Sequence, residues 1–431
     1  MARIWPDRSI ELEEIAGAGC EADRFAFEAG GSLGRIELEG DLSHQPAGIE
    51  AVSAALGVGP EGVLDFTAVR MPSVGPAAAV FTKNRCPGDA VVSGRAHVAD
   101  GRLGLLAVVS KNANVFTPDG ARDVDTLLAA LSNEFGVPAG DTLLSCTGVI
   151  GVPLPMDRIL DGIEGLSAQL SPGDLARSAE AILTTDRGPK WASVKVGDAS
   201  LCGFVKGAGM IEPNMATMLA YLFTDARIEA ATLDAMLRRC VDRTFNAISV
   251  DSDTSTSDTV AVFSTDAVAL GAGEEAAFEE AMLMLCAKLA RDVVGQGEGV
   301  ENLIEVEVSV PTSEADARAL AKTLVNSPLI KTAVHGADPN WGRIVMAIGK
   351  PAALVAFDRI DPAELVIRVM GERVFDRGRD VAADLEALSR RMKSEKTARI
   401  AVEIDPPRHR AKVWGCDLTH EYIHINADYT T

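Results

Sequence analysis

No apolar stretch of this 431-residue chain approaches the roughly 20 residues that a membrane-spanning helix requires; residues 104–109 and 344–348 are among its longest. A membrane is therefore not an expected partner. Positive charge is short as well. Forty-one Lys plus Arg stand against 62 Asp plus Glu, a net charge of −21, which leaves little of the field that a phosphate backbone needs and excludes nucleic acid. The seven cysteines (Cys20, Cys86, Cys146, Cys202, Cys240, Cys286, Cys416) include no C-x-x-C pair, so neither a disulfide framework nor a zinc knuckle is expected, and they read as buried thiols in a reducing compartment. The opening residues, with Arg3, Trp5 and Pro6 before an acidic run, lack the basic region and apolar core of a signal peptide. A cytoplasmic protein is expected. Internal repeats and low-complexity linkers are missing too.

What is present is globular: 47% hydrophobic and 24% charged residues, enough chain for two or more packed domains. Residues 23–40 alternate around Gly30-Gly31 and read as a hairpin. Residues 63–69 and 77–82 look like strands, and residues 123–135 carry Leu127, Leu128, Leu131 and Phe135 at helical spacing before Gly136. Helices are also expected to start at Ser171-Pro172, over 274–294, near Ser313 and over 380–393. Ile304, Val306, Val308 and Val310 alternate with Glu305, Glu307 and Ser309, which predicts a strand with one exposed face. Further strands are expected near Leu354 and Leu365, over 399–404 and over 411–414. Runs of strands separated by helices favour a layered α/β or α+β architecture over a doubly wound parallel sheet.

Three motif matches fail on context. Gly30-Gly31-Ser32-Leu33-Gly34 fits G-x-S-x-G but sits in a hairpin turn, not between a strand and a helix. Gly57-Val58-Gly59-Pro60-Glu61-Gly62 fits G-x-G-x-x-G but follows a helix-like segment, contains Pro60 and leads into a strand. His420-Glu421-Tyr422-Ile423-His424 fits H-E-x-x-H, which binds zinc only on a helix. Tyr422, Ile423 and Ile425 favour a strand there, so surface histidines are expected and no metal site.

The unusual segment is Lys206-Gly207-Ala208-Gly209-Met210-Ile211-Glu212-Pro213-Asn214-Met215-Ala216-Thr217-Met218-Leu219. Two glycines, a proline and an asparagine precede a threonine flanked by apolar residues, a composition that can bring one hydroxyl into a buried setting on a strained backbone. It reads either as a held nucleophile or as a loop ending in a buried strand, with Thr217 a satisfied core hydroxyl. Spacing alone favours the second.

The segment resembles the cleavage-site motif of the ornithine acetyltransferase family, the bifunctional glutamate N-acetyltransferases of arginine biosynthesis. Ser145-Cys146-Thr147-Gly148-Val149-Ile150-Gly151 is similar to the family's oxyanion segment. Phe245-Asn246 with residues 250–259 resembles its Asp/Ser/Thr-rich stretch, Gly336-Ala337-Asp338-Pro339-Asn340-Trp341-Gly342-Arg343 a signature block, and Ile425-Asn426-Ala427-Asp428-Tyr429-Thr430-Thr431 its ending. These matches run in one order over residues 77–431.

The resemblance implies an α/β fold, a layered sandwich of mixed sheets flanked by helices, in a precursor that cuts itself between Ala216 and Thr217. Residues 1–50 would be an extension of open role, 51–216 the α chain and 217–431 the β chain, with cleaved pairs associating into a heterotetramer or larger. It implies Thr217 as nucleophile with its own α-amino group as base, Thr147 and Gly148 as oxyanion hole, and Thr184, Lys206, Thr217, Glu298, Asn426 and Thr431 as substrate site. Acetyl would pass from N-acetylornithine to Thr217 and on to glutamate in a ping-pong cycle. No cofactor is implied, though acetyl-CoA stays open as an alternative donor. Outside the family pattern, Thr184 reads as a helix-end residue, Glu298 as an exposed carboxylate and Thr431 as a frayed terminus. Two other readings stand beside the first: a related N-terminal nucleophile amide hydrolase or acyltransferase with a different substrate, and a non-catalytic regulatory or scaffold homologue.

The chain departs from the pattern at two places. Where the family usually has Asn-Ser-Gly-Asn-Ala-Asn it has Val109-Ser110-Lys111-Asn112-Ala113-Asn114, and where the family continues Ala-Thr-Lys it has Val300-Glu301-Asn302. Both changes bear on the substrate and neither touches the nucleophile.

Overall fold

The computed structural model describes residues 26–29, 33–212, 218–350, 359–379 and 381–428. It has two compact units: the described residues up to Asn246 with Asp253–Val293, and Ala247–Ser252 with the described residues from Val294 onward. No helix among the described residues is long and apolar enough to cross a membrane.

The first unit is an 11-stranded mixed sheet with helices against it. Its strands are β1 (Ala26–Glu28), β2 (Arg35–Glu39), β3 (Glu50–Ala54), β4 (Phe66–Phe81), β5 (Arg102–Asn112), β6 (Thr142–Val149), β7 (Ser171–Pro172), β8 (Lys190–Val196), β9 (Ala199–Lys206), β10 (Leu219–Arg227) and β11 (Thr259–Ala269). The order is β1-β2-β8-β9-β10-β11-β4-β3-β7, with β5 on β4 and β6 on β5. Only β5–β6 and β10–β11 run parallel among these pairs. The helices are α1 (Asp89–His97), α2 (Gly120–Phe135), α3 (Met156–Ile163), α4 (Leu175–Ala181), α5 (Ala230–Arg243) and α6 (Glu274–Gly295).

Alternation along β4 feeds two cores. Val69, Ala77, Ala79 and Phe81 join Leu106 and Val108 of β5, Phe204, Tyr221 and Phe263, and Leu175 and Ala179 of α4. Phe66 and Ala68 join Leu105 and Ala107 of β5 and the α2 stripe Leu127, Leu128, Leu131 and Phe135. These buried layers are the α/β sandwich.

The second unit is a five-stranded sheet, β14-β13-β15-β12-β16, built from β12 (Leu303–Val310), β13 (Leu365–Val369), β14 (Glu372–Asp376), β15 (Thr397–Ile404) and β16 (His409–Cys416). Its helices are α7 (Glu314–Val325), α8 (Pro328–His335), α9 (Trp341–Ile348), α10 (Leu385–Glu395) and α11 (His420–Asp428). Ser313 caps α7 by accepting the Asp316 N–H, as its sequence predicts. The apolar face of β12 is fully buried at Ile304, Val306, Val308 and Val310. Its other face is only half open, because Glu305 meets Lys412 and Trp414 and Glu307 meets Arg410 on β16.

Several expectations are corrected. The two strands over 63–69 and 77–82 are one, β4, with a shift of register between Arg70 and Gly75. Gly75 lies there against the Ser264 carbonyl, where a Cβ would come within 2.5 Å. Ser171-Pro172 is a short strand, not a helix start, because Gly173 turns the chain at φ +72° before α4. The segment before Gly57 is the strand β3, not helix-like; the glycine run joins antiparallel β3 and β4 and opens no helix. The last helix of the 380–393 region starts at Leu385, where Asp384 accepts the Ala387 N–H. Residues 420–428 are helical, not a strand, because the Thr419 hydroxyl accepts the Tyr422 N–H and caps the turn. Cys86 is exposed, while Cys146, Cys202, Cys240, Cys286 and Cys416 are buried. The hairpin exists as β1 with β2; its Gly30-Gly31 turn, the strand near Leu354 and Cys20 lie outside the described residues.

Candidate active site

The segment expected to form the oxyanion hole is the end of β6, paired in parallel with the end of β5: Ser110 opposite Thr147 and Lys111 opposite Gly148. Gly148 has φ +133°, and a Cβ there would sit 2.1 Å from the Lys111 carbonyl carbon. Only glycine fits so close an approach. Thr147 is buried at 5% exposure, and Ala113 N–H to Val149 O at 2.9 Å closes the joint. Beside it, burial pushes the Cys146 thiol up to about 12, so it is no rival nucleophile.

Two of the expected substrate residues meet in the loop after α4. Lys206, the last residue of β9, reaches the Thr184 hydroxyl at 3.4 Å. Thr184 N–H in turn donates to Asp186 at 3.1 Å. Asp186 was not legible as a functional residue, yet it organises the loop: its Oδ1 accepts from Lys190 Nζ at 2.6 Å and from Gly207 N–H at 2.6 Å. The Asp186 and Lys190 side chains are both wholly buried. Burial alone would raise the Asp186 carboxyl, but the charges of Lys190 and Lys206, with the hydrogen bonds from Lys190 and Gly207, hold it at about 2.

Ala216 and Thr217 lie outside the described residues, as does Thr431. Both flanks of the cleavage motif are described. Leu219, two residues beyond Thr217, stands directly opposite Lys206 in the antiparallel β9–β10 pair. The Asp/Ser/Thr-rich stretch fastens each side: Asp253 O accepts the Glu212 N–H at 2.9 Å, the Thr254 hydroxyl donates to Glu212 O at 3.0 Å, and Met218 O accepts the Thr259 N–H at 3.0 Å. Phe245 is fully buried core.

Glu298 and Asn426 come together in the second unit. Glu298 lies on the turn after α6 and accepts a 2.9 Å hydrogen bond from Asn426 Nδ2 on α11. At 9% exposure it is buried, not the exposed carboxylate its sequence alone suggests. The next residue, Gly299 at φ +68°, packs so tightly that a Cβ would lie 2.3 Å from Tyr422 N, and its carbonyl accepts from the Thr419 hydroxyl at 2.7 Å. The departures at Glu301 and Asn302 are absorbed locally: both N–H groups donate to Asp417 Oδ1 at 3.1 Å, and Asn302 Nδ2 donates to Asp417 Oδ2 at 2.7 Å. The Gly336–Arg343 block is a helix corner, with Asn340 capping α9 and Arg343 donating to Leu329 O.

His420 and His424 do share a helix, but both are exposed and His424 pairs with Asp428 at 2.9 Å. Glu301, His335 and Asp417 place one ligand atom each within 4.8 Å of one another. The Asp417 oxygens are already committed to the N–H donors named above.

A family model described as the ArgJ family matches residues 50–431. The chain is 41% identical to arginine biosynthesis bifunctional protein ArgJ 2 of Clostridium acetobutylicum, over 85% of this chain and 93% of that protein. It is 40% identical to glutamate N-acetyltransferase Oat2 of Streptomyces clavuligerus, over 90% and 98%. The solved structure of arginine biosynthesis bifunctional protein ArgJ from Bacillus halodurans aligns with a TM-score of 0.46 at 34% identity, over 49% of this chain and 100% of that one. With a family match over nearly its whole length and relatives of this identity and coverage, the chain belongs to the ArgJ family.

Proposed function

We propose that the chain is a glutamate N-acetyltransferase of arginine biosynthesis that cuts itself at Ala216-Thr217 and carries acetyl from N-acetylornithine to glutamate on Thr217. The observation that supports this most directly is the register of β9 and β10, which sets Leu219 opposite Lys206 and so brings the chain two residues past Thr217 to the side of the carboxylate-binding lysine.

In the first reaction the Thr217 hydroxyl attacks the Ala216 carbonyl carbon, the acyl group shifts from nitrogen to oxygen, and water hydrolyses the ester to free the Thr217 α-amino group. That amine, titrating near ~8, then takes the hydroxyl proton at neutral pH. Oγ attacks the acetyl carbonyl of N-acetylornithine, and the tetrahedral oxyanion rests on the Thr147 hydroxyl and the Gly148 N–H, worth about 3 kcal/mol of barrier for each donor. The proton passes to the leaving amine, ornithine departs, and the glutamate amine takes the acetyl group by the same steps in reverse. Lys206 and Thr184 hold a substrate carboxylate, and Glu298, oriented by Asn426, holds an ammonium. By the family pattern Thr431 is a substrate residue as well. The cycle needs no cofactor, with acetyl-CoA as a second possible donor for the same oxygen. The cleaved pairs associate as a heterotetramer or a larger assembly.

Intact mass under denaturing conditions tests the reading. Two masses near half of 45.3 kDa, one beginning at Thr217 and gaining an acetyl-sized increment with N-acetylornithine, are expected. A single uncut mass, unchanged in activity by Thr217→Ala, would overturn it. Cleavage without acetyl gain would favour a related amide hydrolase.

A further inference from the structure

One charged side chain among the loops of this site has no role in the cycle above. Lys111 stands where the family pattern has glycine, and it keeps the glycine conformation, φ +76°. For a residue with a side chain that geometry is strained. Its main chain lies directly against Gly148 of the oxyanion segment, and its aliphatic stem runs beside Gly59. Its ammonium donates to the carbonyl of Leu183, the neighbour of Thr184. Thr184 in turn stands 3.4 Å from the Lys206 ammonium. Two ammonium groups therefore serve adjacent residues of one loop.

The carboxylates nearest Lys111 are already engaged. Asp186 bonds Lys190 and Gly207, and Asp65 accepts the N–H groups of Leu56, Val58 and Gly59 at 2.6 to 2.9 Å. Burial, and then the charge of Lys206, pull the Lys111 ammonium below the usual lysine range. An ammonium has three donors, and Leu183 takes one. An anionic group brought by a ligand would offset both the burial and the repulsion.

We propose that Lys111 is a specificity-determining residue of the acceptor site: it holds the second carboxylate of a dicarboxylic amino acid while Lys206 holds the first. This rests on the reading of Lys206 as a carboxylate-binding residue. It makes the acidic side chain of glutamate a recognised feature.

Calorimetric titration of the purified protein with glutamate, glutamine and ornithine tests the proposal in the wild type and in Lys111→Gly, Lys111→Met and Lys111→Arg. Glycine suits φ +76°, so the first variant is expected to fold with no loss of melting temperature. The wild type is expected to bind glutamate at least about tenfold more tightly than glutamine, the gain typical of one charge-assisted hydrogen bond. That ratio should fall towards one in the Gly and Met variants, with ornithine bound as well or better, and should persist in Arg. Equal binding of glutamate and glutamine by the wild type, or a ratio unchanged in Lys111→Gly and Lys111→Met, overturns the proposal. Acetyl transfer from N-acetylornithine, measured in parallel, separates the two readings. Loss of transfer with the glutamate preference intact would count against the acetyltransferase reading alone, and transfer with an unaltered ratio against Lys111 alone.

Discussion

Asp186 accepts a 2.6 Å hydrogen bond from the Gly207 N–H, so the first residue after Lys206 is pinned to the loop that carries Thr184. The same carboxylate neutralises Lys190 in full burial. One aspartate thus fixes the position of Lys206 from behind.

Replacing Asp186 by Asn should leave Lys190 buried and unpaired, at a cost of about 3–5 kcal/mol. The pH dependence has a definite sign. With a folded-state value of about 2 against an ordinary 3.8, the carboxylate's stabilisation is complete above about pH 4 and is lost as pH falls towards 2, roughly 2 kcal/mol in all. Urea unfolding of wild type and Asp186→Asn across this window should therefore converge as pH falls. Parallel curves would refute the assignment.

Gly148→Ala should fail in two ways, since its Cβ would meet the Lys111 carbonyl at 2.1 Å and φ +133° is poor for alanine. A lower melting temperature and a kcat reduced by about 10²-fold or more are expected together. Thr147→Val separates the two effects: nearly the same shape, a similar fall in kcat and a smaller thermal shift. An unaltered kcat in Thr147→Val would remove its hydroxyl from the oxyanion hole.

Glu298→Gln keeps the side chain's size and removes its charge. KM for N-acetylornithine should rise about tenfold, while Asn426→Ala, which keeps the charge and removes the 2.9 Å orienting bond along with a 3.0 Å bond to the Tyr422 carbonyl, should raise it less. Steady-state kinetics that leave KM unmoved in Glu298→Gln would place the ammonium elsewhere.

Thiol chemistry should divide the cysteines. Burial pushes Cys146 and Cys240 up to about 12 and Cys416 to about 11, whereas Cys86 is exposed. Ellman's reagent on native protein at pH 8 should label Cys86 fast and these three only on unfolding, and Cys86→Ser should remove one thiol equivalent from the fast phase. Rapid labelling of Cys146 would contradict its burial.

Local patterns carried much of the fold into view. The α2 stripe, the alternation of β12 and the Ser313 cap all lie in short windows where periodicity or one hydrogen bond decides the outcome. Where a distant partner decides, the sequence is silent: β4 reads as two strands because the Ser264 carbonyl that fits against Gly75 is nearly 200 residues away. The C-terminal segment deceived for another reason. Its β-preferring Tyr422 and Ile423 outweigh a single cap, Thr419, whose S/T-x-x pattern would have marked the helix. For the expected site, the family motifs pointed to Thr147, Gly148, Thr184, Lys206, Glu298 and Asn426, of which the structure sets Lys206 beside Thr184 and Asn426 beside Glu298. Asp186 and Lys190 escaped, because a buried pair is indistinguishable from surface charges until the loop folds over it.

The sheet order has a consequence for biogenesis. A cut at Ala216-Thr217 assigns β10 and β11 to one fragment and β9 and β4 to the other, yet the four strands are consecutive neighbours, β9-β10-β11-β4. The second fragment's strands are interleaved within the first fragment's sheet, and the junctions are main-chain ladders. Apart, each piece would carry raw strand edges with no mate. The two halves are therefore expected to aggregate when made separately and to reconstitute only by complementation, so a chain cut as proposed would have to fold as one before the cut.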